Sequence, residues 1–198
     1  MRAVLDNALR QSRDEESIAA LEKALEEGDT LLRMLDAALL ISRAEAGIGR
    51  DSFGAVDVAA LLQDFQDMYD ALAEDKGVTI SVDAPPGLHI RSHREIFGQV
   101  LSNLIDNALK YGGDRIWLSA RRSGETICVA VADNGPGIAE ERRIEALRRF
   151  ARLDASRHIS GAGLGLSLAS AVAHMHGGTL ALGNADPGLR VTLTLPAA

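Results

Sequence analysis

Apolar and polar positions divide the chain into stretches with two different periods. From Glu15 to about Ala46, small and apolar residues recur in alternating steps of three and four, at Ile18, Leu21, Leu25, Gly28, Leu32, Leu35, Leu39 and Ser42. Leu31, Met34, Ala38 and Ile41 widen this seam to a bundle-type face. The spacing predicts one long helix, opened by a capping box at Ser12-x-x-Glu15 and stopped at Gly47. Each leucine on such a face contributes roughly 1.5–3 kcal/mol when buried, so the seam calls for a cover. That cover is either the core of the same domain or a partner helix, and the length and heptad regularity favour the partner. Ahead of it, Val4, Leu5, Ala8 and Leu9 mark one side of a helix tail over residues 3–11.

After a linker near residues 48–53 the pattern shortens. Residues Gly54 to Val56 predict a short edge strand, and Asp57 predicts the cap of a helix from Val58 to about Glu74 that Gly77 ends. Strands are predicted at Val78–Val82, Leu88–Arg91, Ile116–Arg121, Glu125–Ala132, Thr179–Leu182 and Arg190–Leu195, with Pro85-Pro-Gly87 as a turn. The last strand alternates Val191, Leu193 and Leu195 against Thr192 and Thr194. Ser92-x-x-Glu95 predicts a cap for a second helix reaching Tyr111, and Ser167 to Met175 reads as a third. Strands and helices mix without strict β-α-β alternation. The predicted class is therefore α+β: a two-layer sandwich of one mixed sheet with helices on one face, preceded by the long helix.

Composition narrows the function classes. At 198 residues and 46% apolar content the chain can bury one full domain plus an appendage. A net charge of −7 argues against a nucleic-acid groove, which needs a basic surface. The single Cys128 lies in an apolar strand pattern, so no disulfide framework exists and a reducing, cytoplasmic compartment is expected. No membrane segment is expected in this chain. Its best apolar stretch, Leu31 to Ile41, is interrupted by Arg33 and Asp36.

Candidate chemistry gathers in three places. On the helix through Ile96 to Tyr111, Phe97, Val100, Leu101, Leu104, Ile105 and Ala108 form an apolar stripe. The opposite stripe holds Gln99, Asn103, Asp106, Asn107 and Lys110. Asparagine is a poor helix former, so a pair one turn apart reads either as a polar surface or as amide oxygens and a cation aimed at one ligand. Second, the apolar run Ile127–Ala132 ends in Asp133-Asn-Gly135-Pro-Gly137-Ile138. Taken alone this is an Asn-Gly turn, or a carboxylate that accepts a hydrogen bond from a base's amine. Third, Gly161-Ala-Gly163-Leu164-Gly165-Leu166 leads into an apolar helix, where uncovered backbone N–H groups form a phosphate cradle. The Walker and dinucleotide spacings are both absent.

In this order the three motifs resemble the ATP-binding catalytic domain of sensor histidine kinases of two-component systems, in the superfamily shared with gyrase and MutL-type ATPases. Asn103-Leu-Ile-Asp-Asn107-Ala-Leu-Lys110-Tyr111 resembles the asparagine box, and Asp133-Asn-Gly-Pro-Gly137 and Gly161-Ala-Gly-Leu-Gly165 the two glycine boxes. Phe150–Arg157 resembles the phenylalanine box and lid start, and His176-Gly-Gly178 the late turn. Arg43-Ala-Glu-Ala-Gly47 is similar to the end of the second helix of the dimerisation and phosphotransfer hairpin.

The resemblance implies a Bergerat-type nucleotide fold over residues 54–198, a lid at about residues 139–160, and a partial helical hairpin over residues 1–47. It implies ATP and Mg²⁺ as cofactors. Asn107 would give its amide oxygen to Mg²⁺, with Asn103 supporting that shell. Lys110 would lie near the phosphates, Tyr111 against the adenine, and Asp133 on the adenine amine beside Gly135 and Gly137. Gly161, Gly163, Leu164 and Gly165 would line the phosphates, and Arg157 would contact the γ-phosphate. The lid and nucleotide are expected on the sheet face opposite the helices. Departures lie in the lid, where Leu147, Arg148 and Ala151 replace a usual Phe, Glu and Tyr. Residues 1–46 contain no histidine. His89 and His93 read as surface residues, His158 as lid, His174 as helix and His176 as turn. The acceptor box is therefore expected to be missing, with transfer to a histidine outside this chain and no self-phosphorylation at the usual position. The implied partners are a cognate response regulator and a second copy joined through the hairpin. A gyrase or MutL-type ATPase, or a non-catalytic dimeric phosphotransfer module, are the alternatives.

Overall fold

A computed structural model describes residues 15–46, 53–151 and 163–198. The helix tail over 3–11, the Ser12 cap, Gly47 and most of the linker lie outside the described residues, as do Arg157, His158 and Gly161.

The chain opens with α1 (Glu15–Glu45), 31 residues long. Strand β1 (Gly54–Asp57) leads directly into α2 (Val58–Asp75), and Asp57 Oδ1 accepts the Ala60 N–H at 3.1 Å, the cap predicted there. Then follow β2 (Thr79–Asp83), β3 (His89–Ser92), α3 (Arg94–Tyr111), β4 (Arg115–Ser123) and β5 (Thr126–Asp133). A 3₁₀ turn (Glu140–Arg142) precedes the one-turn α4 (Arg143–Ala146). The chain closes with α5 (Gly165–Met175), β6 (Thr179–Asn184) and β7 (Leu189–Pro196).

Five strands form one mixed sheet in the order β2-β4-β5-β7-β6. Only β2 and β4 are parallel, with Ile80 beside Ile116; the other neighbours are antiparallel. The short β1 and β3 pair with each other outside this sheet. Alternation selects the buried side: Ile116, Leu118 and Ala120 of β4 and Val191, Leu193 and Leu195 of β7 point into one core. That core is roofed by the predicted stripe of α3 (Phe97, Val100, Leu101, Leu104, Ile105 and Ala108, all buried) and by Leu168, Ala169, Val172 and Ala173 of α5. The two-layer α+β prediction therefore holds.

The α3 cap differs from prediction. His93, not Ser92, is the residue before the helix, and it makes no side-chain capping bond. Ser92 is the last, inward-facing residue of β3, 1% exposed, and its hydroxyl lies 2.8 Å from His176 Nε2. Its geometry is thus committed across the core before it could cap a helix. The His176 ring also stacks on Phe53 at 4.5 Å between centroids. His93, expected at the surface, is half-buried, and among the described residues its Nδ1 has no hydrogen-bond partner, with Glu95 Oε2 3.9 Å away.

Helix α1 divides its apolar residues between two environments. Ala37, Leu40 and Ile41 are buried in the main core, where α1 packs against α5. Leu31, Leu32, Leu35 and Leu39 remain exposed. The exposed leucines of the heptad seam and the stripe that docks on the domain therefore lie on adjoining faces of one helix, with Ile41, from the flank of the seam, on the docked side.

Candidate functional site

Two helices packed on the same sheet face bring the glycine-rich start of α5 against the polar stripe of α3. A Cβ placed on Gly165 would lie 2.9 Å from Asn107 Nδ2 and 3.6 Å from Asn103 Oδ1. Only glycine leaves that gap open. Asn103 Nδ2 donates to the Gln99 carbonyl at 2.8 Å, which fixes the amide and leaves its oxygen toward α5. The Asn107 amide, half-buried, makes no hydrogen bond among the described residues. Lys110 is exposed and has no ion pair among them. Tyr111 is half-buried at the helix end.

Facing these side chains, α5 begins at Gly165 after Gly163, whose φ of 67° suits glycine. Leu164 is 2% exposed and offers no side-chain cap, while the Ser167 hydroxyl donates to the Leu164 carbonyl at 3.0 Å. Among the described residues the first-turn N–H groups are thus left without a side-chain acceptor. Together with the helix dipole they favour an anion there.

The other end of the cleft is built around Asp133, the last residue of β5 and 8% exposed. Its Oδ1 accepts the Gly135 N–H at 2.8 Å and the Leu189 N–H at 3.3 Å. Among the described residues Oδ2 has no partner, so one carboxylate oxygen is held and the other is available. The end of α3 closes directly on this turn: a Cβ on Gly135 would lie 2.7 Å from Gly112 Cα. Asn134 stitches the same contact, accepting the Arg115 N–H at 2.9 Å and donating to Asp114 Oδ1 at 2.7 Å. That donated bond holds the Asp114 carboxyl below its ordinary range.

Asp106 belongs to a different contact from the rest of its stripe. The Tyr69 hydroxyl of α2 donates to Asp106 Oδ1 at 3.0 Å and lies 2.7 Å from Ser102 Oγ. Burial pushes the Tyr69 pKa up to about 12. This polar contact joins α2 to α3 and fixes the helix that carries Asn103 and Asn107.

The structure thus brings Asn103, Asn107, Gly163, Leu164 and Gly165 to one end, and Asp133, Gly135 and Gly137 to the other. Both groups lie on the helical side of the sheet, not on the opposite sheet face as expected. That opposite face carries the cross-strand row Ser81, Trp117, Ala132 and Arg190. The reason is that the Asn-bearing helix and the glycine-rich helix start share one side of the sheet. Sequence reasoning passed over Tyr69, Gly112, Asn134, Gly188 and Leu189. The Asp186-Pro-Gly188 turn between two alternating strands was the available signal for the last two. Among the described residues no group of three or more His, Cys, Asp or Glu could hold a metal. None of the described helices is long and apolar enough to cross a membrane.

Known proteins resemble this chain over much of its length. The family described as "Histidine kinase-, DNA gyrase B-, and HSP90-like ATPase" matches residues 92–198. Signal transduction histidine-protein kinase AfsQ2 of Streptomyces coelicolor is 39% identical over 161 residues, covering 79% of this chain and 29% of the relative. Sensor-like histidine kinase SenX3 of Mycolicibacterium smegmatis is 31% identical over 199 residues, covering 98% and 52% respectively. The chain thus spans about half or less of the length of these curated relatives. Among solved structures, full-length ShkA in complex with AMPPNP superposes with a TM-score of 0.78 at 25% identity, over 100% of this chain and 44% of that one. The ATP binding domain of PrrB from Mycobacterium tuberculosis gives 0.60 at 30% identity, over 74% of this chain and 98% of that one. The family model covers more than half of the chain and the relatives are named as histidine kinases: the chain belongs to the histidine kinase-, DNA gyrase B-, and HSP90-like ATPase family, on its sensor histidine kinase branch.

Proposed function

We propose that this chain is the kinase core of a two-component sensor histidine kinase. It binds Mg-ATP and directs the γ-phosphoryl group to a histidine, from which it passes to an aspartate of a cognate response regulator. The observation that carries the reading is the close approach of the Asn107 amide, without a hydrogen bond among the described residues, to the start of α5, which has no side-chain cap among them. Support comes from relatives named as histidine kinases and from a structural neighbour described in complex with AMPPNP.

In this reading Asp133 Oδ2 accepts from the adenine amine while Gly135 and Gly137 keep the turn open to the ring. Tyr111 lies beside the base. Gly163, Leu164 and Gly165 present backbone N–H groups to the phosphates, and Lys110 adds a cation. Arg157 and Gly161 keep their assigned γ-phosphate and cradle roles as part of the same proposal. The donor set fits Mg²⁺: a neutral amide oxygen on Asn107, supported by Asn103, suits a hard cation held mostly by phosphate oxygens and water. When bound, the metal neutralises phosphate charge. The protein's own share is positioning for in-line transfer, in which a histidine nitrogen bonds the γ-phosphorus as the bond to the β–γ bridging oxygen breaks. An ATPase of the gyrase type would need a water-activating carboxylate where Asn103 stands, and the tie from Asn103 to Gln99 leaves no such base.

Residues 54–198 are assigned to nucleotide binding, with residues 139–160 as the lid, and residues 1–47 to the hairpin. The exposed Leu31, Leu32, Leu35 and Leu39 seam suits pairing with a second copy. The single Cys128 supports placement of this portion in the reducing cytoplasm.

The test is thermal unfolding with Mg-ATP or Mg-ADP. A ligand at 100 times its dissociation constant adds about 2.7 kcal/mol, so a clear upward shift is expected. No shift at millimolar nucleotide overturns the reading. Supplied with γ-labelled ATP and a hairpin bearing an acceptor histidine, the protein should leave an acid-labile, base-stable label on that hairpin.

A further inference from the structure

The tip of the β6–β7 hairpin reaches across the sheet to the turn that follows β5. Gly188, at φ 113°, is so close that a Cβ there would overlap the Asp133 carbonyl oxygen, and it would lie 2.9 Å from Asn134 Cα. A Cβ on Gly137 would in turn lie 2.9 Å from the Gly188 carbonyl oxygen. The next residue, Leu189, gives its N–H to Asp133 Oδ1 at 3.3 Å. Arg143 of α4 ties the same two segments together, bonding Asn184 Oδ1 at the end of β6 and the Ile138 carbonyl at 3.2 Å. A carboxylate held by Gly135 alone could rotate about its Cβ–Cγ bond. Two N–H groups converging on Oδ1, one from the turn after β5 and one from the start of β7, fix its plane and leave Oδ2 as the oxygen available to a ligand.

We infer that Gly188 and Leu189 are positioning residues for base selection: the hairpin tip orients Asp133 and thereby sets preference for a purine bearing an exocyclic amine. This deepens the reading of Asp133 as the adenine acceptor and rests on it. Neither residue touches the base; both act through the carboxylate. Gly188 must be glycine for the backbones to meet, and Leu189 must carry an N–H.

Calorimetry with Mg-ATP and with Mg-purine riboside triphosphate, which lacks the amine, tests the inference. The unmutated protein should prefer ATP by about tenfold, the range of a hydrogen bond to a charged group. Gly188→Ala and Leu189→Pro should each lower the melting temperature, yet the folded protein should bind purine riboside triphosphate as the unmutated protein does while the preference for ATP collapses toward unity. Preference retained in full by both variants overturns the hairpin's role alone. Equal affinity of the unmutated protein for the two nucleotides overturns the reading of Asp133 and the inference with it. Should either variant fail to fold, amide exchange of the unmutated protein decides. A slowly exchanging Leu189 N–H that loses protection in Asp133→Ala supports the inference, and exchange at the open-loop rate overturns it.

Discussion

The two ends of the cleft are built on opposite plans. At the Asp133 end nearly every polar group already has a protein partner: one carboxylate oxygen takes two N–H groups, Asn134 is bonded through both amide atoms, and backbones touch at Gly112 and Gly135. At the Asn107 end the groups wait. The Asn107 amide has no hydrogen bond among the described residues, and the α5 start has no side-chain cap. The first end is shaped by its own contacts; in the proposed reading the second would take its interactions from the ligand. Mutations should therefore cost stability at one end and affinity at the other.

The largest effect expected from this contrast is on binding. Asn107→Ala removes an oxygen donor and no packing, so Mg-dependent ATP affinity should fall on the order of 100-fold while the melting temperature of the nucleotide-free protein stays put. Unchanged affinity by calorimetry removes Asn107 from the metal shell. At the opposite end, Gly135→Ala forces a methyl into the Gly112 backbone and should destabilise by about 1–3 kcal/mol, read by urea unfolding without nucleotide. A stable Gly135→Ala would show that the end is looser than its contacts suggest. Asp133→Ala strands two N–H groups and should cost about 1–2 kcal/mol, against almost nothing for Asn107→Ala in the same assay.

Smaller effects follow from titration. Tyr69 is protonated in both states below pH 10 and keeps its proton to about pH 12 only when folded. The unfolded chain then binds fewer protons, so stability falls as pH rises through that window, on the order of 1–2 kcal/mol. Tyr69→Phe should flatten this loss. Asp114 runs the other way: its carboxyl is held down by Asn134, so its contribution is present above the ordinary carboxylate range and fades as pH drops through the lowered value. Because Asp114 is fully exposed, the change should be visible by NMR titration of its carboxyl and barely visible in melting curves.

Where periodicity reported on burial, the sequence could be read closely. The α3 stripe predicted at Phe97 through Ala108 is the buried stripe, and the Asp57 cap stands where the chain pattern placed it. The motif residues Asn103, Asn107 and Gly165, which the structure brings together, stood out because asparagine and glycine there run against ordinary helix preferences. Contacts between distant segments were hidden. Nothing local marks Ser92 as a partner of His176 and not a cap, since either role suits a serine at a strand end. Nothing in the heptad pattern of α1 shows that Ala37, Leu40 and Ile41 dock on α5 while Leu35 and Leu39 stay in water. The hydroxyl of Tyr69 was invisible for a related reason: a tyrosine on an apolar stripe reads as core.

The hydrogen bond from Leu189 to Asp133 joins residues 56 positions apart in the chain. The β4–β5 and β6–β7 hairpins can each close locally, Ser123 against Thr126 and Asn184 against Leu189. Bringing β7 alongside β5 instead closes a loop that contains the lid segment and all of α5, and the entropy of closing such a loop comes due before any contact repays it. Local hairpins therefore assemble ahead of the carboxylate's second anchor. Asp133 is then expected to acquire its final orientation only when the central strand pair zips, so in the proposed reading the geometry that would hold a base is among the last to form.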